Sequence, residues 1–156
     1  MGVQRKKTPV LENKKARRNY EILETIEAGL VLKGTEVKSL RDARASLADA
    51  HVVPEGRELN LVNMRIDRYQ NAGFFNHEER RNRKLLLHRK EIVRMISSIR
   101  EKRMAVIPLK LYFNQKGRVK VLLGLGKGKR LYDRRQEEKR SEAKKEMARA
   151  LKEANR

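Results

Sequence analysis

The stretch Ala105-Val106-Ile107-Pro108-Leu109-Lys110-Leu111-Tyr112-Phe113, the loop Asn114-Gln115-Lys116-Gly117 and the return Arg118-Val119-Lys120-Val121-Leu122-Leu123-Gly124-Leu125 decide the fold class. Ala105, Ile107, Leu109, Leu111 and Phe113 recur at every second position, and Val119, Val121, Leu123 and Leu125 repeat that period beyond the loop. A period of two sets both series on one face, which predicts an antiparallel hairpin with a single buried side. Lys120, between Val119 and Val121, then points outward.

Working upstream, the period changes to that of a helix over residues 88–102, where Ile92, Val93, Ile96 and Ile99 share a face and Glu91 lies in the first turn. Residues 67–83 follow neither period, and a loop of that length is usually functional or disordered. It holds Tyr69, Phe74, Phe75, His77 and a basic run of Arg80, Arg81 and Arg83 that continues into Lys84. Residues 47–53 and 59–64 predict a second hairpin around Pro54-Glu55-Gly56-Arg57. Gly34-Thr35 opens a short helix with Val37 and Leu40 on its inner side. Tyr20, Ile22, Glu24 and Ile26 alternate along a long strand expected to bulge or kink at Ala28-Gly29. Five or six antiparallel strands with a helix before the last hairpin predict a small, partly open OB-type barrel. A flat sheet with helices on one side satisfies the same periods.

Downstream, Gly124, Gly126 and Gly128 suggest a flexible exit from the last strand into Lys127, Lys129, Arg130, Tyr132, Asp133, Arg134 and Arg135. From residue 133 to 155 there is no Gly or Pro, and Ala143, Met147, Ala150, Leu151 and Ala154 form a helical stripe. That stripe is mostly alanine, so the tail is expected to be loose in solution and helical only on a partner. The domain division is therefore a basic arm over residues 1–18, disordered until bound, a barrel over 19–126 and a basic tail over 127–156.

The charge points to a polyanion. Lys and Arg number 40 against 20 acids in 156 residues, a net charge of +20. The arm and the tail carry +6 each, leaving +8 on the 108 residues between them. Such a footprint is that of a nucleic-acid binder. The absence of Cys excludes disulfides and thiolate metal sites. No apolar run suits a signal peptide or a membrane span, so a cytoplasmic protein is expected. The glycine segment fails as a phosphate loop, with Leu123 at the first glycine position and Arg130 at the hydroxyl position. His51, His77 and His88 have no metal-ligand spacing and read as ordinary surface or half-buried side chains. No acid pair sits in an apolar setting suited to general acid–base work, so no catalytic residue, metal or cofactor is expected. Seven aromatics, of which Tyr20, Tyr112 and Phe113 are expected in or near the core, are too few for rows of stacking platforms. Shape and backbone recognition of a folded RNA fits better.

Several blocks occur in a recognisable order: Asn13-Lys14-Lys15-Ala16-Arg17, Glu27-Ala28-Gly29-Leu30, Gly34-Thr35-Glu36-Val37-Lys38-Ser39-Leu40-Arg41, Arg83-Lys84-Leu85-Leu86-Leu87, Ile107-Pro108-Leu109, and Gly128-Lys129-Arg130-Leu131-Tyr132-Asp133-Arg134-Arg135. Over about residues 13–156 the chain resembles the SsrA-binding protein (small protein B) family. The resemblance implies an OB-type barrel that binds the tRNA-like domain of transfer-messenger RNA and delivers it to stalled bacterial ribosomes in trans-translation. It further implies a monomer working with elongation factor Tu and with the small-subunit RNA of the 70S ribosome. The implied RNA-binding residues are Glu27, Lys38, Arg41, Arg83, Lys84, Leu86, His88 and Lys120. The implied ribosome-binding residues of the tail are Lys127, Gly128, Lys129, Arg130, Tyr132, Asp133, Arg134 and Arg135, with the tail in the empty mRNA channel. His88 stands where relatives often carry Asn, which leaves helix capping open beside an RNA contact. Tyr132 stands where they often carry histidine, and an aromatic plane for stacking is kept. A structural ribosomal or rRNA-binding protein accounts for the charge equally well.

Overall fold

The computed structural model of the chain describes residues 8–129 and 131–155, and of residues 131–134 the backbone alone. Its elements are β1 (Leu11–Glu12), α1 (Ala16–Asn19), β2 (Tyr20–Leu30), α2 (Gly34–Arg41), β3 (Ala45–Ser46), β4 (His51–Glu55), β5 (Glu58–Val62), β6 (Arg65–Ile66), a 3-10 turn (Gly73–Phe75), β7 (Arg83–Leu86), α3 (Arg89–Arg100), β8 (Ala105–Phe113), β9 (Val119–Gly128) and α4 (Leu131–Ala154). Seven strands make one antiparallel sheet in the order β1-β8-β9-β2-β7-β5-β4, and β3 pairs with β6. The sheet curls until β4 lies against β8, with no described ladder joining them. This is the expected mainly β, OB-type arrangement with inserted helices, left open at one seam.

The core fills the inside of the curl. Leu40, Leu59, Leu61, Met64, Ile66, Leu85, Met95, Leu111, Val121 and Leu123 are all at most 1% exposed. Each such burial stabilises the fold by roughly 1.5–3 kcal/mol. α3 contributes Met95 and Ser98 to it, with Ile92, Ile96 and Ile99 partly buried at its edge. The second hairpin turns on Gly56-Arg57 alone, because Pro54 continues β4, an edge strand on which a missing N–H costs nothing.

Two β-bulges correct the simple alternation. Pro108 faces Leu123 and Lys110 faces Leu122, so Leu109 is the extra residue in β8. The inserted residue exchanges the two faces: Val106 lies in the main core with Leu111 and Phe113, whereas Ile107 and Leu109 form an outer cluster with Ala16. In β2, Ile22 faces Gly126 and Glu24 faces Leu125, which makes Leu23 the extra residue. Tyr20 and Ile22 accordingly pack on the outer cluster while Ile26 packs on the main core. The irregularity of this strand is at Leu23, and the ladder continues unbroken through Ala28 and Gly29.

The glycines at the strand exit also read differently in the structure. β9 runs to Gly128 and is paired with β2 throughout, two residues past the expected barrel boundary. A Cβ on Gly126 would lie 2.1 Å from the Glu21 carbonyl oxygen, so this residue is glycine because two backbones touch. At the other end, residues expected to be disordered belong to the fold. β1 pairs with β8, Ala16 is buried, and the Asn13 amide donates to the Leu47 and Pro108 carbonyls. Residues 1–7 lie outside the described residues.

Candidate nucleic-acid interface

Four strands bring one row of residues onto the outer face of the sheet: Tyr112 of β8 opposite Lys120 of β9, Lys120 opposite Gly29 of β2, and Gly29 opposite Leu86 of β7. Gly29 gives the row a floor. A Cβ there would come within 3.1 Å of the Leu86 Cβ, so the leucine side chain occupies that space. Although Leu86 is a large apolar residue, it is 52% exposed. One step along the strands, a second row sets Lys110 opposite Leu122 and Leu122 opposite Glu27. Lys84 precedes Leu86 by two residues on the same side of β7 and pairs with Glu58 at 2.9 Å.

Tyr112 ties the two rows together. Its hydroxyl donates to Glu27 Oε2, and the Lys110 ammonium lies 5.6 Å from its ring centroid. Partial burial, then the hydrogen bond and the negative charge of Glu27, push the phenol up to about 12. It stays a neutral donor at physiological pH and holds one carboxylate oxygen, leaving the other to accept from a base amino group. Lys84, Lys110 and Lys120 supply cations for phosphates, and Leu86 with the Tyr112 ring supplies an apolar platform.

Of the sequence-predicted RNA-binding residues, Glu27, Lys84, Leu86 and Lys120 come together on this face. Lys38 and Arg41 are exposed on α2, where the Lys38 ammonium sits 5.4 Å from the Tyr69 ring centroid. His88 is exposed at the start of α3, and its backbone N–H donates to Glu91 at 3.1 Å, half of a helix-capping arrangement. Arg83 is a correction. Its side chain has no exposure, because alternation along Arg83-Lys84-Leu85-Leu86 turns it inward with Leu85. It donates to Glu36 at 2.5 Å, to the Met64 carbonyl at 2.7 Å and to the Glu79 carbonyl at 3.1 Å. Arg83 therefore fastens α2 to the segments on either side of β6 and is not part of the outward face.

Of the three histidines, half-buried His51 and exposed His88 are as expected, and His77 is the correction. His77 is 1% exposed, with one ring nitrogen 2.8 Å from Thr35 Oγ1 and the other 3.0 Å from the Ile66 carbonyl. Glu36 itself is fully buried. Burial would raise its carboxyl, yet hydrogen bonds from Arg81, the Lys33 N–H and Arg83 outweigh that and hold it below its usual value. Tyr112 and Lys110 are functional candidates that sequence reasoning missed. Their signal was present, since Tyr112 lies between the inward Leu111 and Phe113.

The tail is the helix its pattern predicts. Its described side chains are exposed almost throughout, so little burial holds it. Polar contacts tether it: Arg18 pairs with Glu138 at 2.6 Å, and the Lys129 ammonium contacts Glu137 and donates to the Arg17 carbonyl at 2.9 Å. Lys127, Gly128 and Arg135 are exposed, whereas the Lys129 side chain is only 13% exposed. Arg130 and the side chains of Tyr132, Asp133 and Arg134 lie outside the described residues.

Known proteins carry the same organisation. A model of the SmpB protein family matches residues 10–153. The SsrA-binding protein of Mesorhizobium japonicum is 50% identical over 144 residues, which cover 92% of this chain and 91% of that one. The SsrA-binding protein of Symbiobacterium thermophilum is 53% identical over 143 residues, covering 92% and 90%. A solved chain described under "tmRNA-SmpB: a journey to the center of the bacterial ribosome" superposes with a TM-score of 0.67 at 48% identity, covering 80% of this chain and 87% of that one. With half of its residues shared across nearly its whole length, the chain belongs to the SmpB protein family.

Proposed function

We propose that this chain binds transfer-messenger RNA through its tRNA-like domain and carries it to stalled ribosomes for trans-translation. The observation that carries the reading is the outward face on which Glu27, Lys84, Leu86 and Lys120 meet, joined by Tyr112 and Lys110. An apolar platform flanked by lysines, with one oriented carboxylate, suits a folded RNA recognised by backbone and a few base edges. The names of the relatives support the same partner, and the ribosomal setting of the solved neighbour supports the destination.

The chain then acts as a monomeric adaptor in the cytoplasm, without catalysis, and works beside elongation factor Tu. The tail residues Lys127, Gly128, Lys129, Arg130, Tyr132, Asp133, Arg134 and Arg135 engage the small ribosomal subunit where message is missing. A helix of 24 residues reaches roughly 36 Å at ~1.5 Å per residue, enough for its cations to follow rRNA phosphates.

The test is a gel shift of the full chain with the tRNA-like RNA across a salt series. Lys120→Ala is expected to weaken binding about tenfold and to reduce the log–log salt slope by about one. Unchanged affinity and slope for Lys120→Ala would remove this face from the interface. A sucrose gradient separates the adaptor from a structural ribosomal protein: the adaptor is substoichiometric and follows its RNA, whereas the structural protein stays at one copy per subunit.

A further inference from the structure

The segment between β6 and β7 carries chemistry that the sheet face does not use. Phe74 and Phe75 stand side by side in the turn Gly73–Phe75 and are 105% and 92% exposed. Adjacent large apolar side chains left in water mark a contact surface. The pair is held firmly. The Asn76 side chain accepts from the Tyr69 N–H at 3.1 Å and donates to the Tyr69 carbonyl at 2.8 Å, and the Ala72 N–H reaches that carbonyl at 3.2 Å. Gly73, with φ +57°, makes the reversal that another residue would strain to make. Directly after Asn76, His77 is anchored in the interior.

Cations accompany this turn in the segment and on α2. Lys38 lies over Tyr69, and Arg68 and Arg80 are exposed in the same segment. Asp67 is paired with Arg65 at 3.3 Å, which leaves Glu78 and Glu79 as its exposed acids. Exposed aromatic planes on a hydrogen-bonded turn, with basic side chains in the same segment, fit an unpaired nucleobase and its phosphates. An apolar protein groove has no comparable use for the cations. We infer that the turn at residues 69–75 is a second RNA contact, in which Phe74 and Phe75 take up an unpaired base of a structured RNA by stacking while Lys38 neutralises an adjacent phosphate. The inference rests on the RNA-binding reading of the chain. It is also separate from the sheet face, because Lys38 and the phenyl pair lie on α2 and the 67–83 segment.

The experiment uses the full chain and two probes, an RNA hairpin with 2-aminopurine in its loop and the same stem as a blunt duplex. Phe74→Ala/Phe75→Ala is expected to weaken hairpin binding roughly 5- to 100-fold, the range for loss of one stacked base, and to abolish 2-aminopurine quenching. Duplex affinity is expected to stay unchanged. Because both rings are exposed, the substitutions leave the core intact. Phe74→Trp/Phe75→Trp is expected to restore binding, whereas Phe74→Leu/Phe75→Leu, which keeps the apolar area without the π face, is not. Unaltered hairpin affinity in the alanine variant, or full restoration by the leucine pair, overturns the inference; the latter result means that apolar contact without stacking holds the RNA. If the unmodified chain binds neither probe nor the tRNA-like RNA, the RNA-binding reading fails with it. If the unmodified chain binds and loss of the phenyl rings changes nothing, only this contact is wrong.

Discussion

Replacing Gly126 by alanine tests whether the strand exit is glycine for close packing or for freedom. The new Cβ would lie 2.1 Å from Glu21 O, 2.9 Å from Glu21 C and 3.1 Å from Ile22 Cα, all backbone atoms that cannot rotate away. Ordinary contact begins near 3.4 Å, so β2 and β9 must part locally by about 1 Å, beside the bulge at Leu23. Parting them forfeits about two ladder hydrogen bonds at ~1 kcal/mol each, and the overpacking adds about 1–3 kcal/mol. The stiffer unfolded chain returns about 0.4–1 kcal/mol. A net loss of roughly 2–4 kcal/mol follows, which for a chain of this length lowers the melting temperature by about 5–15 °C. Gly128→Ala is the control, since nothing lies within 4 Å of a Cβ at that position and its φ is not positive. Urea unfolding followed by circular dichroism reads both variants. If Gly126→Ala falls within about 0.5 kcal/mol of Gly128→Ala, the close-approach argument is refuted and the glycines serve flexibility after all.

Glu36→Gln leaves Arg83 charged in the core without its carboxylate and is expected to cost about 3–5 kcal/mol in chemical unfolding. Because the folded Glu36 carboxyl is held below its ordinary value of 4.5, its contribution is complete above that value and is lost as pH falls through the lower folded one. The acid limb of the stability curve should therefore flatten in Glu36→Gln. Phenolate absorbance should show one tyrosine titrating near 12, and Glu27→Gln should bring it part of the way back toward 10.0, burial keeping the remainder. No movement would show that Tyr112 and Glu27 are not coupled. Asp133→Ala with Arg134→Ala and Arg135→Ala is expected to leave the gel shift with the tRNA-like RNA intact and to abolish tagging in a reconstituted assay on truncated message. Equal loss of both activities would make the tail part of the RNA-binding surface.

Much of this was legible in the sequence, and the exceptions have physical causes. The period of two announced β8 and β9 and placed Lys120 outward, because alternation depends only on neighbouring residues. The bulges at Leu109 and Leu23 were invisible: an inserted residue leaves no compositional mark, yet it exchanges the faces of every residue beyond it. Arg83 was read as one cation in a basic run, although its place two residues before Leu85 already directed it inward. The anchoring of His77 could not be read locally, since its partner Thr35 is 42 residues away. Gly126 shows the ambiguity of glycine itself, whose missing side chain can mean mobility or crowding.

The pairing of Tyr20 with Gly128 has a consequence for biosynthesis. β2 lies in the middle of the sheet, and one of its two neighbours is the last strand to be made. At about 5–20 residues per second, a nascent chain waits roughly 5–20 s between emergence of the first strand edge and arrival of its partner. During that interval the edge of β2 is unpaired and Ile26 lacks its cover from β9. Folding of the barrel is thus bound to the synthesis of β9, and a polypeptide cut short before residue 128 is expected to be a substrate for chaperones or proteases, not a partial binder.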